Sequence, residues 1–339
     1  MTKINRRQMV LLTLLAEAAG STPAGAQPAK RNSVRIALDW TPNTNHVGLY
    51  VARDMGFYTD AGLEVEILPY GDASPGTLIA NDIAQFGVTG ALGFFTQRSA
   101  GADLKAVYAV VQTETGRLVF NDEREDIQRP RDLDGLTYGG FGSNWEKTLI
   151  VSLIRNDGGK GEFETITLGT SAYEALANGA VDFTLEVYTW EGVKAELEGR
   201  KQRAFRYADF GVPDQHTTFL SSSQAFLDAQ PEVASAFLKA TQRGYAFAVD
   251  NPDEAARILV DANKDMLTDP ELIRASLKAL VEGHYLARAD GTVGLIDPAK
   301  MESIGAFLHS SAILLDGDGK PLLQKPDFST YFSNRLLES

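Results

Sequence analysis

Short apolar runs alternate with helix-periodic runs over the first two thirds of the chain. Runs rich in β-branched and aromatic residues predict strands, which we assign to residues 34–38, 63–68, 86–90, 104–111, 118–120, 136–138, 163–168, 180–186, 205–210 and 217–221. Apolar residues at helical spacing predict intervening helices at residues 47–55, 78–86, 92–100, 144–153 and 171–178. The alternation is typical of βαβ units, so it predicts an α/β fold with mostly parallel sheets.

After the last of these strands the pattern is nearly all helical, with helices predicted at 228–250, 253–262, 269–283 and 297–310 and helical spacing in the tail 328–337. Two polar segments, Gln112–Arg117 and Gly211–His216, interrupt the alternation and predict two crossovers between a lobe and an inserted lobe. We therefore assign residues 33–112 to the first part of lobe 1, 113–215 to lobe 2, and 216–337 to the return segment and C-terminal helices of lobe 1.

The N-terminus has the pattern of a cleavable secretory signal peptide at residues 1–26. Lys3, Arg6 and Arg7 precede a short apolar run at Met9–Ala18, and Ala24–Ala26 offers small residues for cleavage. We therefore expect a periplasmic protein, exported by the general or the twin-arginine route. An N-terminal tail without a targeting role is the alternative.

Composition excludes several classes of function. The formal net charge is −13, so no basic surface is expected for nucleic acid or for an anionic membrane. The chain has 0 cysteines, which excludes disulfides, thiolate metal sites, a thiol nucleophile and a lipoprotein anchor. We expect a monomer.

No catalytic signature is found. The four histidines are scattered, and the chain has no Gly-x-Ser-x-Gly elbow, no phosphate-binding Walker loop, no His-Glu-x-x-His and no Gly-x-Gly-x-x-Gly. We therefore expect no catalytic residues, no metal and no cofactor.

A strand-to-helix turn offers the first candidate ligand-binding residues. The strand at 34–38 is followed by Asp39, Trp40, Asn43 and His46, just before the helix. Ligands in open α/β sheets bind beyond the carboxyl ends of strands, where helix N-termini also offer free N–H groups. The alternatives are that Trp40 belongs to the core and that Asp39 only caps the helix.

The other predicted strand ends and crossovers supply the remaining candidates, which are Gly90, Glu114, Phe141, Gly142, Ser143, Glu186, Tyr188 and Trp190. Aromatic faces stack on a flat ring, and carboxylates accept hydrogen bonds from its amino groups. Together these side chains favour a small aromatic heterocycle as ligand. The alternatives are a plain loop at Gly139–Ser143, hinge packing for Tyr188 and Trp190, and dipole compensation for Glu146.

The stretch LDWTPNTNHVGLYVARDMGFYTDAGLEVEI, residues 38–67, resembles the opening of bacterial ABC-transporter substrate-binding proteins for pyrimidine precursors of thiamine. That family also includes a fungal pyrimidine-precursor synthase and riboflavin-binding relatives. The resemblance implies a type II periplasmic binding protein with two α/β lobes, two crossovers and a ligand cleft between the lobes. It implies capture of a precursor such as formylaminopyrimidine and delivery to a membrane permease. Alternative ligands are riboflavin and a sulfonate, nitrate or taurine-like anion.

A synthase-like enzyme is the other alternative that the resemblance raises. The fungal synthase uses one of its own histidines as substrate and carries a cysteine-rich iron motif. The corresponding positions here, Ala91–Phe95 and His216–Ser223, contain no such histidine and no cysteine. Both departures favour binding over synthesis.

Overall fold

Two five-stranded sheets organise residues 31–338, the part of the chain that the computed structural model describes. The first sheet contains, in spatial order, β2 (Leu63–Leu68), β1 (Asn32–Ala37), β3 (Phe86–Gly90), β10 (Thr218–Ser222) and β4 (Lys105–Val111). The second contains β7 (Glu164–Thr167), β6 (Thr137–Gly140), β8 (Phe183–Val187), β5 (Gly116–Asn121) and β9 (Gln202–Arg206). The predicted signal peptide lies outside the described residues.

One strand in each sheet runs antiparallel to the others. These strands are β5, which pairs antiparallel with β8 and β9, and β10, which pairs antiparallel with β3 and β4. Each is the first strand formed after the chain crosses from the other sheet. At each crossover, the chain leaves one sheet at the carboxyl end of a strand, which faces the space between the sheets. It enters the other sheet from that same space. The entering strand therefore runs away from the space between the sheets, while the remaining strands stay parallel, as predicted.

The helices mostly follow the predicted order and differ at their ends. They are α1 (Val47–Asp54), α2 (Phe57–Asp60), α3 (Pro75–Ala80), α4 (Ala91–Ser99), α5 (Asn144–Asn156), α6 (Ala172–Ala177), α7 (Val193–Leu197), α8 (Gln224–Ala229), α9 (Pro231–Asp250), α10 (Pro252–Ala262), α11 (Pro270–Glu282), α12 (Pro298–Ser310) and α13 (Arg335–Glu338). Between residues 31 and 338, no helix has both the length and the apolar character needed to cross a bilayer.

Three predicted elements depart most from the structure in extent. The helix predicted at 78–86 ends at Ala80, because Asp82 adopts φ 56° and the chain then turns into β3. The strand predicted at 205–210 ends at Arg206, and a 3₁₀ turn follows. The aromatic residues of that turn pack in the core although the backbone there is not extended. Their apolar pattern therefore resembled that of a buried strand. The tail 328–337 forms a 3₁₀ turn and the short α13 instead of one helix.

The chain passes between the sheets twice, as the polar segments predicted. It leaves β4 at Val111 and begins β5 at Gly116, and it returns after the 3₁₀ turn Tyr207–Phe210 to begin β10 at Thr218. We call the connecting residues 112–115 the outgoing crossover and 211–217 the return crossover. We call the parts built on the first and second sheets lobe 1 and lobe 2. The predicted domain limits themselves stay a prediction.

The two lobes also touch away from the crossovers. The ring of Trp145 on α5 lies 6.4 Å from the ring of Phe307 on α12, edge to face. The buried Ser276 hydroxyl on α11 donates to the Thr189 carbonyl of lobe 2 at 2.5 Å and shares a 2.7 Å hydrogen bond with Thr44. The two lobes are therefore in contact with each other away from the crossovers as well.

Helix α1, which follows the Asp39–His46 turn, packs closely on α9. A Cβ added at Gly244 would collide with the carbonyl oxygen of Gly48 and with Ala52, and a Cβ at Gly48 would collide with the ring of Tyr245. Only glycine leaves room for this approach. The Tyr245 hydroxyl also donates to the Asn45 carbonyl at 2.7 Å, so α9 supports the turn directly.

We expect Gly244→Ala to lower the free energy of unfolding by about 1–3 kcal/mol, because the added methyl overpacks the α1–α9 contact. Gly71→Ala is the matched control, since no atom lies within 4 Å of its added Cβ. Urea denaturation followed by circular dichroism measures both variants. Equal midpoints for the two variants would show that the close approach is not a constraint.

Candidate functional site

The Asp39–His46 turn is held together by its own hydrogen bonds. The Nε2 atom of buried His46 lies 2.9 Å from Asp39 Oδ1, and its Nδ1 accepts from the Asn43 backbone N–H at 3.3 Å. The Asn43 side chain accepts from the Asn45 N–H at 2.9 Å. Asp39, Asn43 and His46 thus shape the turn that presents Trp40, and both imidazole nitrogens are occupied within it.

Trp40 is not a core residue, since 47% of its surface is exposed. Its ring lies 5.1 Å from that of Tyr70. It lines a cavity of about 390 Å³ together with Glu186 and Trp190 of lobe 2. Trp190 also packs against the hydrophobic core of lobe 1, so it serves in lobe packing and in the cavity wall. We call this space the outer cavity.

A second cavity of about 340 Å³, which we call the cleft cavity, lies between the carboxyl ends of strands from both sheets. Lobe 1 contributes the start of α4, and the crossovers and lobe 2 contribute the rest of the wall. The lining residues are Gly90, Ala91, Leu92, Gly93, Glu114, Gly116, Phe141, Trp145, Glu146, Leu149, Tyr173, Leu185, Glu186, Val187, Tyr207, Gln215 and Thr217. Three of them are glutamates and none of these described residues is a lysine or arginine.

Glu146 is both a helix cap and part of this wall. It is 4% exposed, and its carboxylate accepts from the backbone N–H groups of Phe141 at 3.0 Å and Ser143 at 2.8 Å. The Ser143 hydroxyl accepts from the Glu146 N–H in return, which completes a capping box at α5. Gly142 has φ 75° and allows the tight turn before the cap. Gly142 and Ser143 therefore shape the loop, and half-exposed Phe141 lines the cavity.

Glu186 is anchored by a cation. The Arg117 guanidinium donates through Nε to Glu186 and stacks 4.3 Å from the centre of the Tyr188 ring. Burial raises the pKa of Glu186 although Arg117 opposes the rise. Since Arg117 is already paired with this carboxylate, it does not present a free positive charge to the cavity.

Tyr188 does not lie with Trp190 in the cavity wall. Strand β8 ends at Val187, and Tyr188–Gly192 forms a π-helical turn rather than a continued strand. Tyr188 lines two other cavities that it shares with Tyr285 of lobe 1, one beside the outgoing crossover and one between α7 and α11. The expectation that one strand end presents Glu186, Tyr188 and Trp190 together is therefore wrong for Tyr188.

The two crossovers are joined by a hydrogen-bonded charge network. Asp214 of the return crossover accepts from the Thr113 hydroxyl at 2.5 Å and from the Glu114 N–H at 2.8 Å, and it pairs with Lys300 of α12 at 2.7 Å. Burial would raise the pKa of Asp214, but these donors hold it below its usual value. The Glu114 carboxylate accepts from the Gln215 side chain at 2.5 Å, and burial raises its pKa. The network fixes Glu114 at the cleft cavity.

Sequence reasoning missed Tyr173 and Trp145. Tyr173 lies in the first turn of α6, just beyond the carboxyl end of β7, and lines both cavities. The strand-end rule that selects Glu186 also applies to Tyr173, because the sequence predicts a strand at 163–168. Trp145 follows the Ser143 cap of α5. The assignment of any of these residues to a ligand stays a prediction.

The chain is similar in sequence to a family model and to several known proteins. The family model described as "NMT1/THI5 like" matches residues 43–255. The formylaminopyrimidine-binding protein of Halalkalibacterium halodurans is 28% identical over 89% of this chain and 92% of its own length. The riboflavin-binding protein RibY of Chloroflexus aurantiacus is 24% identical over 73% of each chain. A 4-amino-5-hydroxymethyl-2-methylpyrimidine phosphate synthase of Saccharomyces cerevisiae is 22% identical over 70% of this chain and 73% of its own.

The fold is also found among solved structures. The periplasmic aliphatic sulphonate binding protein SsuA of Escherichia coli superposes with a TM-score of 0.64 and covers 88% of this chain and 91% of its own, at 16% identity. This likeness confirms the periplasmic binding protein fold that the family resemblance implied.

We expect acid to weaken the return crossover through His216. This histidine is 2% exposed, its Nε2 accepts from the Asp297 N–H at 2.8 Å, and burial with nearby Lys300 lowers its pKa to about 4. The folded pKa lies below the unfolded value, so stability is lost as the pH falls from about 6.5 to about 4. Wild type should lose up to about 3 kcal/mol more than His216→Gln over this range. Urea denaturation at several pH values checks this, and parallel pH profiles for the two proteins would contradict it.

Proposed function

This chain belongs to the NMT1/THI5-like family, and we propose that it is the extracytoplasmic solute-binding protein of an ABC importer. Its ligand is a small amino-substituted aromatic heterocycle, a thiamine pyrimidine precursor such as formylaminopyrimidine. The ligand is captured between the lobes and delivered to a membrane permease. No bond is made or broken.

The observation that carries this proposal is the composition of the cleft cavity wall. Glu114, Glu146 and Glu186 provide acceptors for exocyclic N–H groups, while Phe141 and Tyr173 provide aromatic faces. A hydrogen bond to a charged group contributes about 1.5–3 kcal/mol. Aromatic stacking adds about 0.5–1.5 kcal/mol beyond area burial. A flat ring that carries amino groups uses both kinds of contact.

The same wall argues against an anionic ligand such as a sulfonate, nitrate or taurine. Like charges 4 Å apart repel by about 4 kcal/mol at an effective dielectric constant near 20. Two of the three glutamates, Glu114 and Glu146, have no lysine or arginine partner among the described lining residues. The nearest guanidinium, that of Arg117, is paired with Glu186.

The wall also favours binding over synthesis. The family resemblance implies that the substrate histidine of the fungal synthase corresponds to a position within Ala91–Phe95. Here Ala91, Leu92 and Gly93 of this segment line the cleft cavity with small and aliphatic side chains. The 0 cysteines of the chain leave no thiolate for an iron motif. The export pattern at residues 1–26 likewise suits a protein that works outside the cytoplasm.

We expect formylaminopyrimidine to bind the purified protein with a single saturable isotherm in titration calorimetry. It should also stabilise the fold by about 2.7 kcal/mol at a hundredfold excess over Kd. Riboflavin, taurine and an alkanesulfonate serve as the comparison ligands. Stabilisation by a sulfonate, with none by any pyrimidine, would overturn the assignment of the ligand class.

We expect Glu114→Gln to weaken pyrimidine binding by about 10- to 100-fold, because a charged acceptor is lost from the cavity wall. Glu64→Gln is the matched control, since Glu64 is exposed on β2 and lies outside the cavity wall. Calorimetry gives the affinities, and the urea midpoint of each variant reports on the fold. Equal affinities for a folded Glu114→Gln variant and the control would exclude Glu114 from recognition.

A further inference from the structure

The cleft cavity and the outer cavity lie side by side and share two wall residues, Tyr173 and Glu186. Their volumes are about 340 and 390 Å³. Each is near the lower end of the range for small-molecule pockets, about 300–1,000 Å³. The side chains of the two shared residues therefore decide whether the space between the lobes is one large pocket or two small ones.

We call Tyr173 and Glu186, the two shared wall residues, the partition between the cavities. Glu186 is the residue of the partition that an ion pair holds in place. Its carboxylate is held by Arg117, whose guanidinium is itself stacked on Tyr188. A Cβ added at Gly192 would meet all three of these side chains within 3.0 Å, so the π-helical turn packs tightly around them. Removing this half of the wall would leave a guanidinium without its partner.

Tyr173 is the residue of the partition that is not held by an ion pair. It is partly buried in the first turn of α6, after the 3₁₀ turn Gly169–Ser171, where Gly169 has φ 56°. Burial, together with the nearby carboxylates of Glu191 and Glu186, raises the pKa of its phenol. The hydroxyl is therefore protonated at neutral pH and can donate a hydrogen bond. Among the described residues, Tyr173 is the one aromatic side chain that lines both cavities.

The wall of the cleft cavity comes from both lobes and both crossovers, whereas Trp40 is the lobe 1 residue in the wall of the outer cavity. A single-ring ligand in the cleft cavity would therefore lie between residues of both lobes. A three-ring ligand that outgrows the cleft cavity would enter the outer cavity past Tyr173, which lines both.

We propose that Tyr173 determines ligand size in this protein: its ring closes the cleft cavity to single-ring heterocycles and excludes a tricyclic flavin. This inference rests on the proposed function, because it assigns the cleft cavity to the pyrimidine. It identifies one side chain as the determinant between the pyrimidine and flavin ligands that the names of similar proteins describe.

The test compares Tyr173→Ala with Tyr173→Phe in the mature full-length protein. Riboflavin binding is followed by quenching of flavin fluorescence, and formylaminopyrimidine binding by calorimetry. Tyr173→Ala should bind riboflavin at least tenfold more tightly than wild type and bind the pyrimidine at least tenfold more weakly. Tyr173→Phe keeps the ring and should keep the exclusion of riboflavin. Tyr173→Ser is the second opening variant if Tyr173→Ala does not fold.

The two ligands separate failure of this inference from failure of the proposed function. If wild type binds the pyrimidine but the opening variants gain no affinity for riboflavin, the partition is wrong and the proposed function stands. If wild type binds riboflavin as tightly as Tyr173→Ala does, the partition is also wrong. If wild type binds no pyrimidine while the opening variants gain riboflavin, the ligand assignment fails and the partition stands.

Discussion

The hydrogen bonds between the two crossovers are the interaction on which the site depends. Asp214 accepts from two groups of the outgoing crossover and pairs with Lys300, and Gln215 binds the Glu114 carboxylate. Hydrogen bonds to charged groups contribute about 1.5–3 kcal/mol each. Because these hydrogen bonds join the outgoing and return crossovers, they fix the path of both crossovers. They also fix the position of the Glu114 carboxylate at the cleft cavity. If Glu114 binds the ligand as proposed, these hydrogen bonds couple ligand recognition to the geometry of the crossovers.

Sheet topology explains why the remaining polar groups converge on the same space. The parallel strands of both sheets end at the cleft, and each entering strand starts there. Gly90, Glu186 and the start of α5 are therefore brought together from distant parts of the chain. The contacts between Trp145 and Phe307 and between Ser276 and Thr189 hold the lobes together away from the crossovers. Closure around a ligand is a known mode of movement for proteins built this way.

The sequence predicted the features that depend on local pattern. The alternation of strands and helices and the two polar interruptions predicted both lobes and both crossovers. Trp40, Glu114 and Glu186, which were selected at strand ends and at a crossover, line the cavities, and their role towards a ligand stays a prediction. The sequence could not separate cavity lining from turn formation at Asn43 and His46. Both nitrogens of His46 are used inside the turn, and this depends on the folded geometry of Asp39 and Asn43. The position of Tyr188 depends on a π-helical turn stabilised by Ser276 of another lobe, and no local pattern encodes that contact.

The central claim is that an amino-substituted ring binds between the lobes against the glutamates of the cleft cavity. The most direct test is a crystal structure of the protein grown with formylaminopyrimidine. The account predicts ligand density between Gly90–Gly93 of lobe 1 and Phe141 and Glu186 of lobe 2, with an amino group within hydrogen-bonding distance of a cavity glutamate. Density for the ligand on an outer surface, or against one lobe alone with the glutamates unoccupied, would contradict the account.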